Sequence, residues 1–226
     1  DYEDMYMKIA CVGCRGWALK IYDFLEKYTD HHFLTIRSKT DYDKQKIIDF
    51  DPDLVLFYGW SWKIEEEIYT NYMSIMLHPS DLPKFRGGSP IQNQIINGVL
   101  DSKVTLFVVN EGYDAGDIMI KGDLSLRGHI QDIFDRITDI GTELTMKLID
   151  SPCALIVVPI EQDHSQATYY KRRTPKESEI TIEELLNKSS EILYNKVRML
   201  EDPYPNAFIR TSDGKKLLIK TAEIED

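Results

Sequence analysis

The chain has 226 residues, 42% of them apolar, which suits one globular domain with a small appendage and is too apolar for a disordered chain. Its 27 Lys and Arg against 38 Asp and Glu leave a formal net charge of −11, a field that disfavours non-specific nucleic-acid binding but leaves room for a local basic pocket. Three cysteines cannot all pair, no apolar run approaches the ~18 residues of a membrane span, and acidic residues 1–6 lack the basic and apolar parts of a secretory signal, so no membrane association and a reducing cytoplasm are expected.

Residues 8–13 (KIACVG) read as a buried strand closed by glycine, and 16–28 as a helix with Trp17, Ile21, Phe24 and Leu25 at helical spacing. Cys11 and Cys14 form a C-x-x-C at the end of that apolar run. One such pair is half a zinc site, so Cys11 is expected in the core and Cys14 in a loop. The turn Gly13-Cys14-Arg15-Gly16 lacks the first glycine of a dinucleotide fingerprint, and Arg37 stands where an acidic residue would end the next strand. Strands follow at 32–37, 53–58 and 74–78, separated by helices at 41–50 and 64–69. A Pro- and Gly-rich loop over 79–90 leads to a helix at 91–97, strands at 104–110 and 117–120, a long amphipathic helix at 130–149 and a strand at 154–160. Beyond a soft boundary near 165 come a basic loop, a helix at 189–200 and a hairpin over 207–210 and 216–222 with an Asp213-Gly214 turn. The β-α-β-α alternation predicts an α/β fold with a doubly wound, mostly parallel sheet over residues 1–165, and a short C-terminal α+β appendage over 166–226.

Ligands of open α/β sheets bind outside the carboxyl ends of the strands, and His78 falls at such an end. A lone histidine is commonly a satisfied structural residue. This one is followed at once by a stiff polar loop, His78-Pro79-Ser80-Asp81-Leu82-Pro83, and by Arg86-Gly87-Gly88, where glycine lets backbone approach a ligand. Asp114 lies in a Gly-flanked turn after a later strand. Turn chemistry alone explains such an aspartate, but two loops of this kind can meet over one cleft, and a His–Asp pair is a standard acid–base device.

The segment from His78 to Ile91, HPSDLPKFRGGSPI, resembles the H-x-S-L-L-P-x-x-R-G-x-x-P-I loop of the formyltransferases that use N10-formyltetrahydrofolate. Val104-Thr105-Leu106, followed by Tyr113-Asp114-Ala115-Gly116-Asp117-Ile118, resembles the V-T-x…D-x-G-D-I motif of the same family. The resemblance covers roughly residues 8–150 and implies the Rossmann-like fold of that family. Tyr170-Lys171-Arg172-Arg173-Thr174-Pro175, Val197-Arg198 and Asp202-Pro203-Tyr204-Pro205-Asn206-Ala207-Phe208 look like the end of the nucleotide-sugar N-formyltransferases. Those enzymes formylate the amine of a dTDP- or UDP-linked amino deoxysugar for bacterial surface glycans, including lipopolysaccharide O-antigen. A methionyl-tRNA enzyme is expected to carry a longer C-terminal domain and a basic surface.

The resemblance implies His78 as general acid and base, Asp114 as its orienting carboxylate, and a pterin seated near Phe57, Tyr58, Gly59, Trp60, Trp62, Asp114 and Asp117. Ser80, Lys84, Arg86, Gly87, Gly88, Lys171, Arg172 and Arg173 are the candidates for the sugar and its phosphates, with no metal, and the family implies a homodimer through the C-terminal part. Two positions depart from the motif. Asp81 stands where the family has Leu, and Met76 where it has the Asn that would donate to the developing oxyanion, which a thioether cannot do. Met76 therefore leaves open another donor, a subgroup that works with Met, or a non-catalytic homologue that binds sugar nucleotide or folate. A formyltransferase acting on a different amine is the remaining alternative.

Overall fold

The computed structural model describes residues 6–150 and 157–226. Strands β1 (Lys8–Val12), β2 (His32–Ile36), β3 (Leu54–Phe57) and β4 (Ser74–His78) lie parallel in the order β2-β1-β3-β4. They are linked by helices α1 (Gly16–Tyr28), α2 (Lys44–Phe50) and α3 (Glu66–Asn71). The helices cover both faces, so β1 and β3 read as continuous apolar runs instead of alternating ones. The helix expected from 41 begins at Lys44, because the Asp43 carboxylate accepts the Gln45 N–H and fixes the start.

After the short β5 (Arg86–Gly87) and α4 (Pro90–Ile96), the chain adds two longer strands, β6 (Asp101–Val108) and β7 (Ile118–Ser125). Both pairings here are antiparallel, β6 on β4 and β7 on β6, so the six-stranded sheet is mostly but not wholly parallel. The strands expected at 104–110 and 117–120 are extended by polar residues whose cross-strand partners, such as Lys103 with Asp123, hold the exposed ends together. Helix α5 (Ile130–Ile149) spans the residues its apolar period predicts. Of the strand expected over 154–160, residues 154–156 lie outside the described residues. Ile160 makes an isolated bridge to Ile118.

β4 alternates like the rest of the sheet. Ile75 and Leu77 point into a core shared with Ile9, Cys11, Leu54 and Leu56, under Ile21 and Leu25 of α1 and Ile133 and Ile137 of α5. Ala10, Val12, Val55 and Phe57 form a second core with Ile47 of α2 and Ile68 of α3, and Met76 packs against it. Burial of each large aliphatic side chain here contributes about 1.5–3 kcal/mol.

The C-terminal segment pairs β8 (Tyr169–Tyr170) in parallel with β5, then forms α6 (Ile182–Asn187), α7 (Ser190–Arg198) and the hairpin of β9 (Ala207–Arg210) with β10 (Lys216–Ile219). Helix α6 was not expected from periodicity. It is nucleated by a reciprocal cap in which Thr181 and Glu184 bond each other's backbone. Ile180, Val197, Met199, Leu200 and Ala207 join the α1–α5 core, so the change near 165 separates kinds of element rather than two cores.

Candidate active site

The alternation that sends Leu77 into the core turns His78 to the opposite face, the one on which Met76 sits. His78 closes the carboxyl end of β4 with its side chain 8% exposed. Its Nε2 lies 2.7 Å from the Phe85 carbonyl oxygen. A carbonyl can only accept, so Nε2 carries the proton and the neutral ring keeps its lone pair on Nδ1. Nδ1 faces Asp114 Oδ2 at 3.6 Å, and the Asp114 side chain is 13% exposed. A protonated ring therefore meets an acceptor at each nitrogen.

Asp114 is aimed by the turn it occupies. Its φ of 51° is left-handed, a conformation that aspartate tolerates better than most residues. The Gln162 amide donates to the Asp114 carbonyl at 2.9 Å and the Gly116 carbonyl at 2.7 Å. The carboxylate in turn accepts the Gly87 N–H at 2.7 Å. Asp114 thus ties the β6–β7 turn to the glycine loop and leaves its carboxylate facing the imidazole.

Gly87 and Gly88 are required by close approach of the C-terminal segment. Gly87 has φ +97°, and a Cβ there would stand 2.3 Å from the Tyr170 carbonyl oxygen. A Cβ on Gly88 would stand 2.5 Å from the Arg172 backbone nitrogen. Ser89 Oγ accepts the Arg173 N–H at 3.0 Å, and the Asn93 amide reaches the Lys171 carbonyl at 3.3 Å. The basic segment is therefore stitched to the loop that bonds Asp114. The Lys171 and Arg172 side chains are exposed, while one Arg173 nitrogen donates to the Glu177 carbonyl at 3.3 Å. Lys84 is exposed as well.

Several expected ligand contacts are instead internal supports. Arg86 is 1% exposed, with its guanidinium bonded to Gln162 Oε1, the Tyr169 hydroxyl and His164 Nδ1, so its donors hold the loop and do not face a ligand. Ser80 is fully buried and donates to the Lys84 carbonyl at 2.7 Å. Phe57 and Tyr58 are fully buried. The Tyr58 hydroxyl pairs with Thr145, and its ring stacks on Tyr22, so both belong to the core. Burial pushes both the Tyr22 and Tyr58 phenols above the usual tyrosine range.

Trp60 is buried, packed on Trp62 and Tyr42 at centroid distances of 4.6 and 5.1 Å, and Trp62 is exposed. Lys39 lies over all three rings at 5.1 to 5.7 Å. Gly59, with φ +60°, links Tyr58 to this group, and Asp117 is exposed beyond the Asp114 turn. Met76 is half-buried, in register with Phe57 on one side and Phe107 on the other. Cys11 is buried in the core, and the Cys14 thiol donates to the Gly59 carbonyl at 3.3 Å. Among the described residues no cluster of His, Cys, Asp or Glu has the spacing of a metal site. No helix among them is long and apolar enough to cross a membrane.

A doubly wound sheet carrying a His–Asp pair at the carboxyl end of its fourth strand, under a glycine loop, sets a candidate acid–base pair where ligands of such sheets bind. Residues 25–146 match the model of the formyl transferase family, and the chain belongs to that family. It is 31% identical over 194 residues to the methionyl-tRNA formyltransferase of Lachnospira eligens, covering 84% of this chain and 60% of that one. The chain thus spans about three-fifths of the curated relatives it matches, 58% in the case of the Ehrlichia chaffeensis protein. Among solved structures, the methionyl-tRNA formyltransferase from Clostridium thermocellum superposes with a TM-score of 0.81 at 30% identity, covering 94% of this chain and 97% of that one. A 4-N formyltransferase from Francisella tularensis shares the fold, with a TM-score of 0.79 at 20% identity and coverage of 97% and 98%.

Proposed function

We propose that the chain is a formyltransferase that moves the formyl group of N10-formyltetrahydrofolate to the amine of a nucleotide-linked amino deoxysugar. The observation that carries the reading is the buried His78, with Nε2 committed to the Phe85 carbonyl and Nδ1 turned toward Asp114. The neutral amine attacks the formyl carbon, a new N–C bond forms, and the bond from that carbon to N10 breaks. His78 Nδ1 accepts the proton of the attacking nitrogen and returns one to N10, and the Asp114 carboxylate stabilises the imidazolium between the two transfers. The pterin sits beside Gly59, Trp60, Trp62 and the Asp114–Asp117 turn. Met76 supplies no donor, so the oxyanion is met by backbone N–H or by the charged imidazole.

The sugar diphosphate is assigned to Lys171 and Arg172, with Arg173 in support. These residues are held against Gly88 and Ser89, one step from the Gly87–Asp114 bond, in a chain of net charge −11. A homodimer through the C-terminal part is supported by exposed Ile182 and Leu186 on α6 and Leu217 and Leu218 on β10. The unpaired Cys11 and Cys14 are compatible with a reducing cytoplasm. A second reading, with aminoacyl-tRNA as acceptor, is favoured by the names of the curated relatives, while the net charge of −11 opposes it.

Incubation with N10-formyltetrahydrofolate and a panel of dTDP- and UDP-amino sugars, alongside charged methionyl-tRNA, separates the readings by mass spectrometry. A formyl mass gain on a nucleotide sugar is expected; a gain on the tRNA alone moves the acceptor to the second reading.

A further inference from the structure

The sheet sets three side chains in one row. His78 on β4 is in register with Thr105 on β6, and Thr105 with Lys121 on β7. Cross-strand partners share a face, so Thr105 and Lys121 project on the side where His78 works. The loop from Pro79 to Phe85 is laid over this row and gripped by its carbonyls. Thr105 Oγ1 donates to the Ser80 carbonyl at 2.7 Å, and Gln94 Nε2 to the Pro79 carbonyl at 2.6 Å. Lys121 Nζ reaches the Leu82 carbonyl and the Asp81 carboxylate, both at 2.6 Å. The loop then returns to the start of the row, where the Phe85 carbonyl receives His78 Nε2.

Phe85 makes that return in a left-handed conformation, φ 56°, which an aromatic residue adopts only where its surroundings hold it. Its ring is stacked on Tyr170 at 4.8 Å, and its N–H is taken by Thr168 Oγ1 at 2.8 Å. Those contacts fix the far side of the loop. On the near side Lys121 is the cation that spans the turn from Asp81 to Lys84, whose own closing bond runs from the Lys84 N–H to the Asp81 carbonyl at 3.0 Å. Lys121 pairs there with Asp81, a position where the family loop has leucine.

We propose that Lys121, paired with Asp81, is a positioning residue for His78: it holds the loop so that the Phe85 carbonyl keeps the imidazole in its Nε2–H form with Nδ1 free to take a proton. The proposal rests on the formyltransferase reading for its kinetic consequence but not for its structural one. Removing the Lys121 ammonium leaves the Leu82 carbonyl and the Asp81 carboxylate without their donor, and the Phe85 carbonyl loses its fixed aim. A misplacement on the ångström scale at a reacting group costs on the order of a hundredfold in rate.

The test is a nitrogen-15 NMR spectrum of the imidazoles in the full chain, with the His78 signals assigned by their absence in His78→Gln. The wild type is expected to show His78 as a single Nε2–H tautomer. Lys121→Met is expected to give a mixture of tautomers and kcat lower by roughly tenfold or more, with KM for the formyl donor within about twofold. Asp81→Asn is the second variant, in case Lys121→Met folds poorly, and is expected to change the spectrum in the same direction. An unchanged His78 tautomer in a variant with a normal melting curve overturns the proposal. An altered tautomer in a protein that transfers no formyl group leaves it standing and counts against the formyltransferase reading.

Discussion

At His78 the ring lies between two groups of different kinds, a backbone carbonyl that holds Nε2 and a carboxylate that faces Nδ1. The carbonyl decides which nitrogen is basic, and the carboxylate decides what happens after that nitrogen is protonated. His78→Asn removes the proton carrier. Turnover is expected to fall by at least about a hundredfold with the melting temperature little changed, measured by steady-state kinetics beside calorimetry. Met76→Asn tests the departure on the neighbouring position of the same face. A working subgroup gains little from the new amide, whereas a rise of ~10²–10³ in rate would mark the natural chain as one that lost an oxyanion donor, and the non-catalytic reading would lead. Arg86 was expected at the phosphates because it sits in the motif, and motif position does not report which way a side chain points. Its guanidinium is buried against neutral acceptors, so Arg86→Ala is expected to cost roughly 3 kcal/mol of stability, read from a denaturant titration, instead of acting on KM alone.

At the scale of elements, the site is closed by a two-residue pairing, β5 against β8. It joins the loop after β4 to the segment that carries Lys171, Arg172 and Arg173, and it admits no side chain at Gly87 or Gly88. Gly88→Ala is expected to push the Arg172 backbone away and raise KM for the nucleotide sugar, with donor affinity unchanged. Arg172→Ala is expected to do the same without altering the pairing, and its effect on sugar affinity should weaken with added salt. A fall in donor affinity alone in both variants would count against the acceptor assignment. The ends of α1, β4 and α5 were legible in sequence, because long apolar periods and the proline after His78 mark them. β5 and β8 were not, since a two-residue strand has no period, and α6 was missed because its apolar residues Ile182, Leu185 and Leu186 face outward and describe no buried stripe. The Phe85 carbonyl is a backbone group and leaves no trace in residue type. Gln162 and Lys121 act over long sequence separations that spacing does not reveal.

Among the described residues, two cores flank the six-stranded sheet, and the C-terminal elements share the core beneath α1 and α5. Tyr22 and Tyr58 are fully buried there, and burial raises both phenols, as it raises the Cys11 thiol. A group whose folded value lies above its unfolded one contributes its full stability below the unfolded value and loses it as pH climbs through the folded one. The chain is therefore expected to hold its stability below the ordinary phenol range near ~10 and to unfold cooperatively above it, with tyrosinate absorbance appearing together with loss of helical signal. Tyrosinate that titrates fully ahead of unfolding would contradict that burial. The α/β architecture and the meeting of His78 with Asp114 could both be anticipated from strand ends and loop chemistry. The division of labour around them, with Arg86, Ser80, Phe57 and Tyr58 as supports, depends on packing that only the folded chain exhibits. The most direct test of the central claim is the rate of formyl transfer from N10-formyltetrahydrofolate to nucleotide-linked amino sugars, followed by mass spectrometry in the wild type and in His78→Asn. The expected result is a formyl mass gain on the sugar with the wild type and at least about a hundredfold less with His78→Asn. Equal transfer by the two proteins, or no transfer to any amine by a folded wild type, would contradict the account.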